Sequence, residues 1–214
     1  MEKFLLKNDI DALFDFFENK GSSFEEKQTL KLWSRFIEKH AHKIVYSSGF
    51  GDSDNDKYET YTAPFYYNNG SINITLNVEN ILSFYTKQPQ VFKEVLFFDN
   101  KEMFRYNNEK PQNSVSKTPI IALYSPLNNQ PPMLIVDGNK RLNYNINNNI
   151  SFSVSCFTQN FYPLFFFYTG NDWIAFHLLN SFHSLIQLET PGKKRDFVNT
   201  LGKQLKYIEK FFSK

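Results

Sequence analysis

The chain has 214 residues, a formal net charge of +2, 21% charged residues and 41% hydrophobic residues. That composition excludes a disordered chain, and a charge so near neutral excludes nucleic-acid binding by bulk electrostatics alone. Cys156 is the only cysteine, so an internal disulfide is excluded too.

Aromatic residues make up 18%, with 24 Phe and 12 Tyr. Two readings are open: the codon bias of an AT-rich genome, or aromatic platforms that stack on bases. The segment from Met1 to Lys7 has no long apolar core, so no signal peptide is expected. The most apolar run, 161–168, is far shorter than a membrane span and contains Pro163. The expectation is a cytoplasmic protein with no membrane partner.

Ile10, Leu13, Phe14 and Phe17 recur at helical spacing, which predicts a helix over 8–19 ended by Gly21. Ser23 and Glu26 fit a capping box, after which Leu30, Trp33, Ile37 and Ala41 line one face of a second helix. Each stripe needs cover, so the pair reads as a helical hairpin. Gly49, Gly51 and alternating acids predict a loop over 47–62. Asp52, Asp54 and Asp56 resemble the start of a calcium loop. However, Lys57 stands where the sharp turn needs Gly and Ala63 where a bidentate Glu is needed, so a solvated acidic loop is expected.

Phe65-Tyr66-Tyr67, the turn Asn68-Asn69-Gly70 and the alternating run 72–78 predict a β-hairpin with one buried face. A short helix is expected over 80–87, while the apolar run 91–98 fits a strand or a helix. Polar residues with Pro111 predict a loop over 107–117. Residues 119–124 and 133–136 read as two buried strands joined by the turn Asn128-Asn129-Gln130-Pro131. Asp137-Gly138 stops the second strand, a helix is expected over 140–147, and 150–156 alternates as a third strand. The run 161–168 fits another strand or a lead into the C-terminal helices. Residues 172–188 form a helix apolar over much of its circumference, hence buried. Pro191-Gly192 breaks it. Phe197, Leu201, Leu205, Ile208 and Phe212 stripe a last amphipathic helix, with Lys203, Lys206 and Lys210 off the stripe.

The chemistry concentrates in Asp137-Gly138-Asn139-Lys140-Arg141-Leu142, an apolar strand running into Asp-Gly-x-x-Arg and then a helix. Gly138 lets the backbone turn sharply and approach a ligand. The following helix begins with unpaired N–H groups and the positive end of its dipole, which suit a phosphate. Lys140 and Arg141 add cations at the same place, Arg with a bidentate fork. Asp137 could orient Arg141, hold a metal or cap the helix. A purely structural reading stays open beside these: a cap, a turn glycine and an arginine paired with a nearby acid.

Over 118–157 this order of strand, turn, helix and strand resembles the ParB/sulfiredoxin superfamily, with 119–124 similar to its preceding strand and 150–156 to its following one. The resemblance implies a ParB/sulfiredoxin-like mixed sheet and a turn that handles phosphate. Its departures are specific. Sulfiredoxins carry a catalytic Cys two positions before the Arg, where this chain has Asn139, so sulfinic-acid reduction is not implied. Partitioning proteins resemble Gly-Glu-Arg-Arg-x-Arg at the turn, which implies binding and hydrolysis of a nucleoside triphosphate. Here Gly138 and Arg141 match and Lys140 is a conservative partner, but Asn139 replaces the Glu and Asn143 the last Arg. No Glu-Asn-x-x-Arg follows downstream. Many ParB-like nuclease domains carry His where this chain has Lys140, so acid–base work by His there is unavailable.

Other candidates point to structure. His40-Ala41-His42 reads as a solvated helix end without a third metal ligand. His177 and His183 are six apart, do not share a helix face well and read as core or boundary positions. Ser22-Ser23, Ser47-Ser48 and Ser114 have no nucleophile-elbow context, and Cys156 reads as a small buried hydrophobe. Lys193-Lys194-Arg195 is the best basic patch, either a salt-sensitive phosphate-backbone contact or an ordinary solvated helix face.

The expected architecture is α+β. An N-terminal helical hairpin and β-hairpin (1–88) pack on a ParB/sulfiredoxin-like core (89–170), followed by C-terminal helices (171–214). The expected function is binding of nucleotide or nucleic-acid phosphate, as a nuclease or nucleotidase of a mobile element. Asp137, Gly138, Asn139, Lys140 and Arg141 would form the site, with a nucleoside triphosphate and Mg2+ as cofactors and no dedicated metal site. The alternative is a non-enzymatic member of the fold that meets a protein partner through its C-terminal helices.

Overall fold

Local sequence decides where the first long helix begins. In α1, Phe24–Ser47, the Ser23 N–H donates to Glu26 Oε2 at 2.7 Å and the Glu26 N–H to Ser23 Oγ at 3.4 Å, the reciprocal cap expected of that pair. Leu30, Trp33 and Ile37 of the predicted stripe are buried, with Phe36 beside them. The helix runs on to Ser47, past the end expected near His42. His40 is therefore an interior helical residue, 3% exposed, and not part of a solvated terminus.

The structure, a computed structural model, describes residues 14, 15, 17, 18, 23–47, 59–67, 70–107, 118–124, 131–159 and 161–212. Most of the helix expected over 8–19 lies outside the described residues. So do Gly21, the acidic segment with Asp52, Asp54, Asp56 and Lys57, the Asn68-Asn69 turn, the loop with Pro111 and Ser114, and the turn at 128–130. The side chains of Ala41, His42 and Phe212 lie outside them too.

β1, Thr60–Tyr67, and β2, Gly70–Asn77, form the expected antiparallel hairpin, in register from Thr60 opposite Asn77 to Tyr67 opposite Gly70. β1 begins at Thr60, inside the segment expected as loop, because the β-branched Thr60 and Thr62 complete the ladder with β2. Along β2, Ile72, Ile74 and Leu76 are buried while Ser71 and Asn73 are exposed. Asn77 caps α2, Val78–Lys87, by accepting the Asn80 N–H at 2.9 Å.

The main sheet has five strands: β3, Phe92–Leu96; β4, Phe104–Arg105; β5, Ile120–Tyr124; β6, Met133–Asp137; and β7, Ser153–Phe157. Their spatial order is β3-β7-β5-β6-β4. β7 is antiparallel to β3 and parallel to β5, and β6 is antiparallel to β5 and parallel to β4. The ambiguous run 91–98 is thus a strand, followed by a 3-10 segment over Phe98–Met103. β4 has two residues, too few for any periodicity to announce it. α3, Asn139–Asn147, connects β6 to β7.

Strand alternation sorts the side chains of this sheet into two cores. Ile120 and Ala122, Met133 and Ile135, and Val154 and Cys156 face a smaller core closed by Leu142 of α3. Ile121 and Leu123, Leu134 and Val136, and Phe157 face the larger core. With both faces covered, β7 is buried from Val154 to Phe157, so the alternation read in its sequence is one of side-chain polarity and not of exposure. Cys156 is fully buried, and burial, with Glu94 adding to it, pushes its thiol up to about 12.

The larger core is completed by the hairpin, α1, α4 (Gly170–Ile186) and α5 (Pro191–Phe212). Thr169 and Asp172 cap α4 reciprocally, and Asp172 Oδ1 also accepts the Thr75 N–H at 2.9 Å, which ties α4 to β2. The run 161–168 is no strand: it holds one 3-10 turn, Leu164–Phe166, and a single bridge from Phe167 to Leu76. A Cβ on Gly170 would lie 2.6 Å from the Ile44 carbonyl oxygen, so glycine there lets α4 start against α1. The architecture is mixed α+β, a mixed sheet flanked by helices. Among the described residues no helix is long and apolar enough to cross a membrane.

Candidate functional site

The turn after β6 is built as the sequence predicts, and it opens into a polar cleft of about 350 Å³. Gly138 has φ 91°, ψ 17°, the left-handed region that L side chains avoid. A Cβ there would also lie 2.9 Å from Arg141 Nη2 and 3.0 Å from Ile120 Cγ1. Glycine is thus required twice, by the backbone angle and by the space that Arg141 and β5 occupy.

Gly138 is the N-cap of α3 and supplies no side-chain cap. The first-turn N–H groups of an α-helix have no intrahelical acceptor, and they carry the positive end of the dipole. Asp137, which could have capped the helix, instead accepts from Arg141 Nη2 at 2.8 Å across one helical turn. The same Nη2 donates to the Pro119 carbonyl at 2.9 Å. Arg141 therefore pins the turn to the start of β5, and its side chain is 15% exposed. Its Nε is buried without a hydrogen-bond partner among the described residues.

Asn139 points the other way. It is 6% exposed, and its Oδ1 accepts the Asn107 N–H at 2.9 Å. Asn143, one turn further, donates from Nδ2 to the Asn107 carbonyl and to the Asn139 carbonyl, both at 2.9 Å. The two asparagines clamp the backbone just after β4 from both its donor and its acceptor side. Lys140 stands between these committed residues, exposed on the cleft wall.

The opposite wall comes from Glu59, Thr60, Tyr61 and Val78. The Val78 N–H donates to the Glu59 carbonyl at 2.9 Å, which fixes that wall at the start of α2. Sequence reasoning missed these residues because 59–62 reads as loop and nothing local links it to a turn about eighty positions later. The cleft thus places two carboxylates, Glu59 and Asp137, beside two cations, Lys140 and Arg141. Among the described residues no group of three His, Cys, Asp or Glu side chains could hold a metal ion.

The basic patch is elsewhere. Lys193 and Lys194 lie in the first turn of α5 and Arg195 follows it, and none lines the turn cleft. Cations at the positive end of a helix dipole are unfavourably placed for stability. His40 Nε2 lies 3.5 Å from Glu209 Oε1 on α5, and burial lowers its pKa although Glu209 opposes the shift. His177 is 1% exposed, and burial depresses it to about 3, with the Tyr162 backbone opposing the shift. His183 is lowered by burial as well. His177 and His183, read as not sharing a face well, both line one cavity between α4 and α5.

No protein-family model matches the chain, and no curated protein or solved structure matches it.

Proposed function

We propose that the chain is a ParB-like phosphate-binding protein that takes the phosphate of a nucleotide or nucleic acid in the cleft at the Asp137–Arg141 turn. The observation that carries this reading is the N-terminus of α3, left without a side-chain cap by Gly138 in a cleft that Lys140 also lines. First-turn N–H groups would receive the phosphate oxygens, and Lys140 would supply the mobile charge. Arg141 acts mainly through position, holding the turn open by its pair with Asp137 and its bond to Pro119. Where the phosphate arrives with Mg2+, Asp137 and Glu59 are the carboxylates in the cleft that the ion would meet.

Nucleoside triphosphates with and without Mg2+ test the reading by thermal unfolding, because a ligand of the native state raises Tm with occupancy. A rise for wild type that is lost in Lys140→Ala is the expected result. No rise with any triphosphate sinks it.

A second reading is favoured by a different observation. Asn139 and Asn143 stand where the partitioning pattern has Glu and Arg, and both are committed to the backbone of Asn107. In that reading the fold persists as a non-enzymatic interaction protein, its long C-terminal helices meeting a partner. A gel shift with single- and double-stranded DNA at two salt concentrations, on wild type and Lys193→Ala/Lys194→Ala/Arg195→Ala, separates a DNA partner from a protein one.

A further inference from the structure

The near-neutral total charge of the chain hides a polarised one. α1 carries five Lys or Arg against three Glu, and α5 carries six against one Asp and one Glu. The two helices together hold a formal +6 in a chain whose total is +2, so everything else sums to −4. Charge gathered on one part of a surface steers and holds an opposite partner even where the net charge is small.

The same two helices lie side by side. A Cβ on Gly202 would stand 3.6 Å from Leu32 Cδ2, and Lys39 Nζ lies 3.3 Å from Glu209 Oε2. Both pairs are 170 positions apart, so α1 and α5 run in the same direction with matched register. Trp33 on α1 and Leu201 and Leu205 on α5 point into the larger core. The outward faces of the two helices are therefore continuous.

That outward face carries Lys31 and Arg35 on α1 and Lys203, Lys206 and Lys210 on α5, all exposed. None of the five makes an ion pair among the described residues. The acids beside them are Glu38, Asp196 and Glu209, and Glu209 is held by Lys39 and lies 3.5 Å from His40. Lys31 and Arg35 are four apart on one helix, as are Lys206 and Lys210, and like charges at that spacing destabilise a helix. The arrangement does nothing for the fold. Cations recur about every 6 Å along each helix and face each other across a seam of about 8–10 Å, the scale of successive phosphates in a strand.

Two aromatic side chains stand among these charges. Tyr207 is 61% exposed between Lys203 and Lys210, and Phe24, 68% exposed, begins α1 on the stripe that Lys31 and Arg35 continue. Cations that track a backbone, with exposed rings on which bases stack, are the elements of single-strand recognition. A duplex keeps its bases inside and leaves the rings unused. A bilayer surface calls for a continuous apolar row below the cations, where this face has two separate rings.

We propose that the joint face of α1 and α5 binds single-stranded nucleic acid, its phosphates on Arg35, Lys206 and their neighbours and a base on Tyr207. The surface shares no residue with the turn cleft and stands independently of what that cleft binds.

The test is fluorescence anisotropy of the full chain with a labelled oligo(dT) and with a duplex of the same length. The single strand binds with a Kd at or below about 10 μM at about 50 mM salt, and weakens at least about tenfold by about 200 mM. Arg35→Glu/Lys206→Glu weakens it about tenfold or more, whereas Lys93→Glu/Lys101→Glu, an equal charge change away from these helices, has less than a third of that effect. Tyr207→Ala weakens the single strand about fivefold or more and leaves the duplex unchanged. All five side chains are exposed, and an unaltered Tm verifies that the variants are folded. The inference is overturned if oligo(dT) does not bind, if the two charge reversals act alike, or if Arg35→Glu/Lys206→Glu binds as wild type does, which places the strand in the turn cleft. It is overturned too if the duplex binds as tightly and Tyr207→Ala changes nothing, or if phosphatidylserine vesicles bind and oligo(dT) does not.

Discussion

The turn cleft and the helical cavity differ in how their polar groups are employed. At the turn, Asp137, Arg141 and Asn139 are charged or strongly polar, and each is already bonded within the protein. Among the described residues the helical cavity is lined by no Asp, Glu, Lys or Arg, and the unpartnered Asn180 Oδ1 and His183 Nδ1 are buried behind its wall. A motif dense in chemistry can therefore be largely consumed by building its own backbone. What distinguishes a site is the set of groups the fold leaves unsatisfied, more than the groups its sequence displays.

The sharpest contrast between the two regions is their response to acid. His177 lies under the cavity, and its ring neighbours Phe161, Tyr162, Phe167, Trp173 and Phe176 carry no charge. Its folded pKa is depressed to about 3 from 6.5, so the unfolded chain binds more protons between those values. The stabilisation is complete above pH 6.5 and drains away as pH falls toward 3, by roughly 1.4 kcal/mol per unit and on the order of 4–5 kcal/mol in all. The lowered values of His40 and His183 act in the same direction. Urea unfolding at pH 7, 5.5 and 4 reads the slope, and His177→Gln flattens it. An unaltered slope in that variant means His177 is not buried in the neutral form.

Gly138→Ala is the next largest effect and strikes the turn. It forces a Cβ into the left-handed region and against Arg141 and Ile120. The backbone term alone costs about 1–2 kcal/mol, and the displaced neighbours raise the loss to about 2–3 kcal/mol. Equilibrium unfolding measures it. A loss below about 0.5 kcal/mol shows that the turn relaxes and that glycine is there for a ligand and not for the backbone.

How much of this was legible in the sequence depends on the distance over which each feature is made. The Ser23–Glu26 cap, the alternating β2, the strands around residue 120 and residue 135, and the Gly138 turn are each set within a few residues, and each is where local pattern puts it. The mixed α+β class follows from that order of elements. The length of α1, the two-residue β4 and the burial of His40 are set by α5 and β6 packing against them, so no window of sequence contains their cause. The site divides in the same way. The residues from Asp137 to Arg141 were readable as a turn with charge. Their employment was not, because the partners of Arg141 and Asn139 include the backbone at Pro119 and Asn107, about twenty and thirty positions away. The helical cavity assembles residues from Tyr124 to Gln204, and its one sequence trace, the two histidines on α4, reads as core or boundary.

Breaking the ion pair asks whether Arg141 is a builder or a binder. Arg141→Ala leaves the Asp137 carboxylate and the Pro119 carbonyl without their donor in a site where both side chains of the pair are about 15% exposed. The expected loss is about 1.5–3 kcal/mol, and Asp137→Ala/Arg141→Ala recovers part of it because no lone carboxylate remains. A double mutant that is less stable than Arg141→Ala by the full cost of Asp137→Ala shows that the two do not interact.

Lys140→Ala gives the smallest change in stability and the cleanest statement about the cleft. Lys140 is exposed and is followed by a residue already anchored to Asp137 and Pro119. Its removal from the first turn of α3 takes a cation away from the positive end of the dipole, so stability stays within about 0.5 kcal/mol of wild type and leans upward. The same change removes the only cation on the cleft wall that the described contacts do not already commit, and so abolishes the rise in Tm with nucleoside triphosphate. Loss of the ligand effect without loss of stability assigns the cleft to phosphate. If the ligand effect survives in Lys140→Ala and vanishes in Arg141→Ala at a temperature where that variant is folded, the phosphate is held by Arg141, and its pair with Asp137 is a resting state that ligand opens.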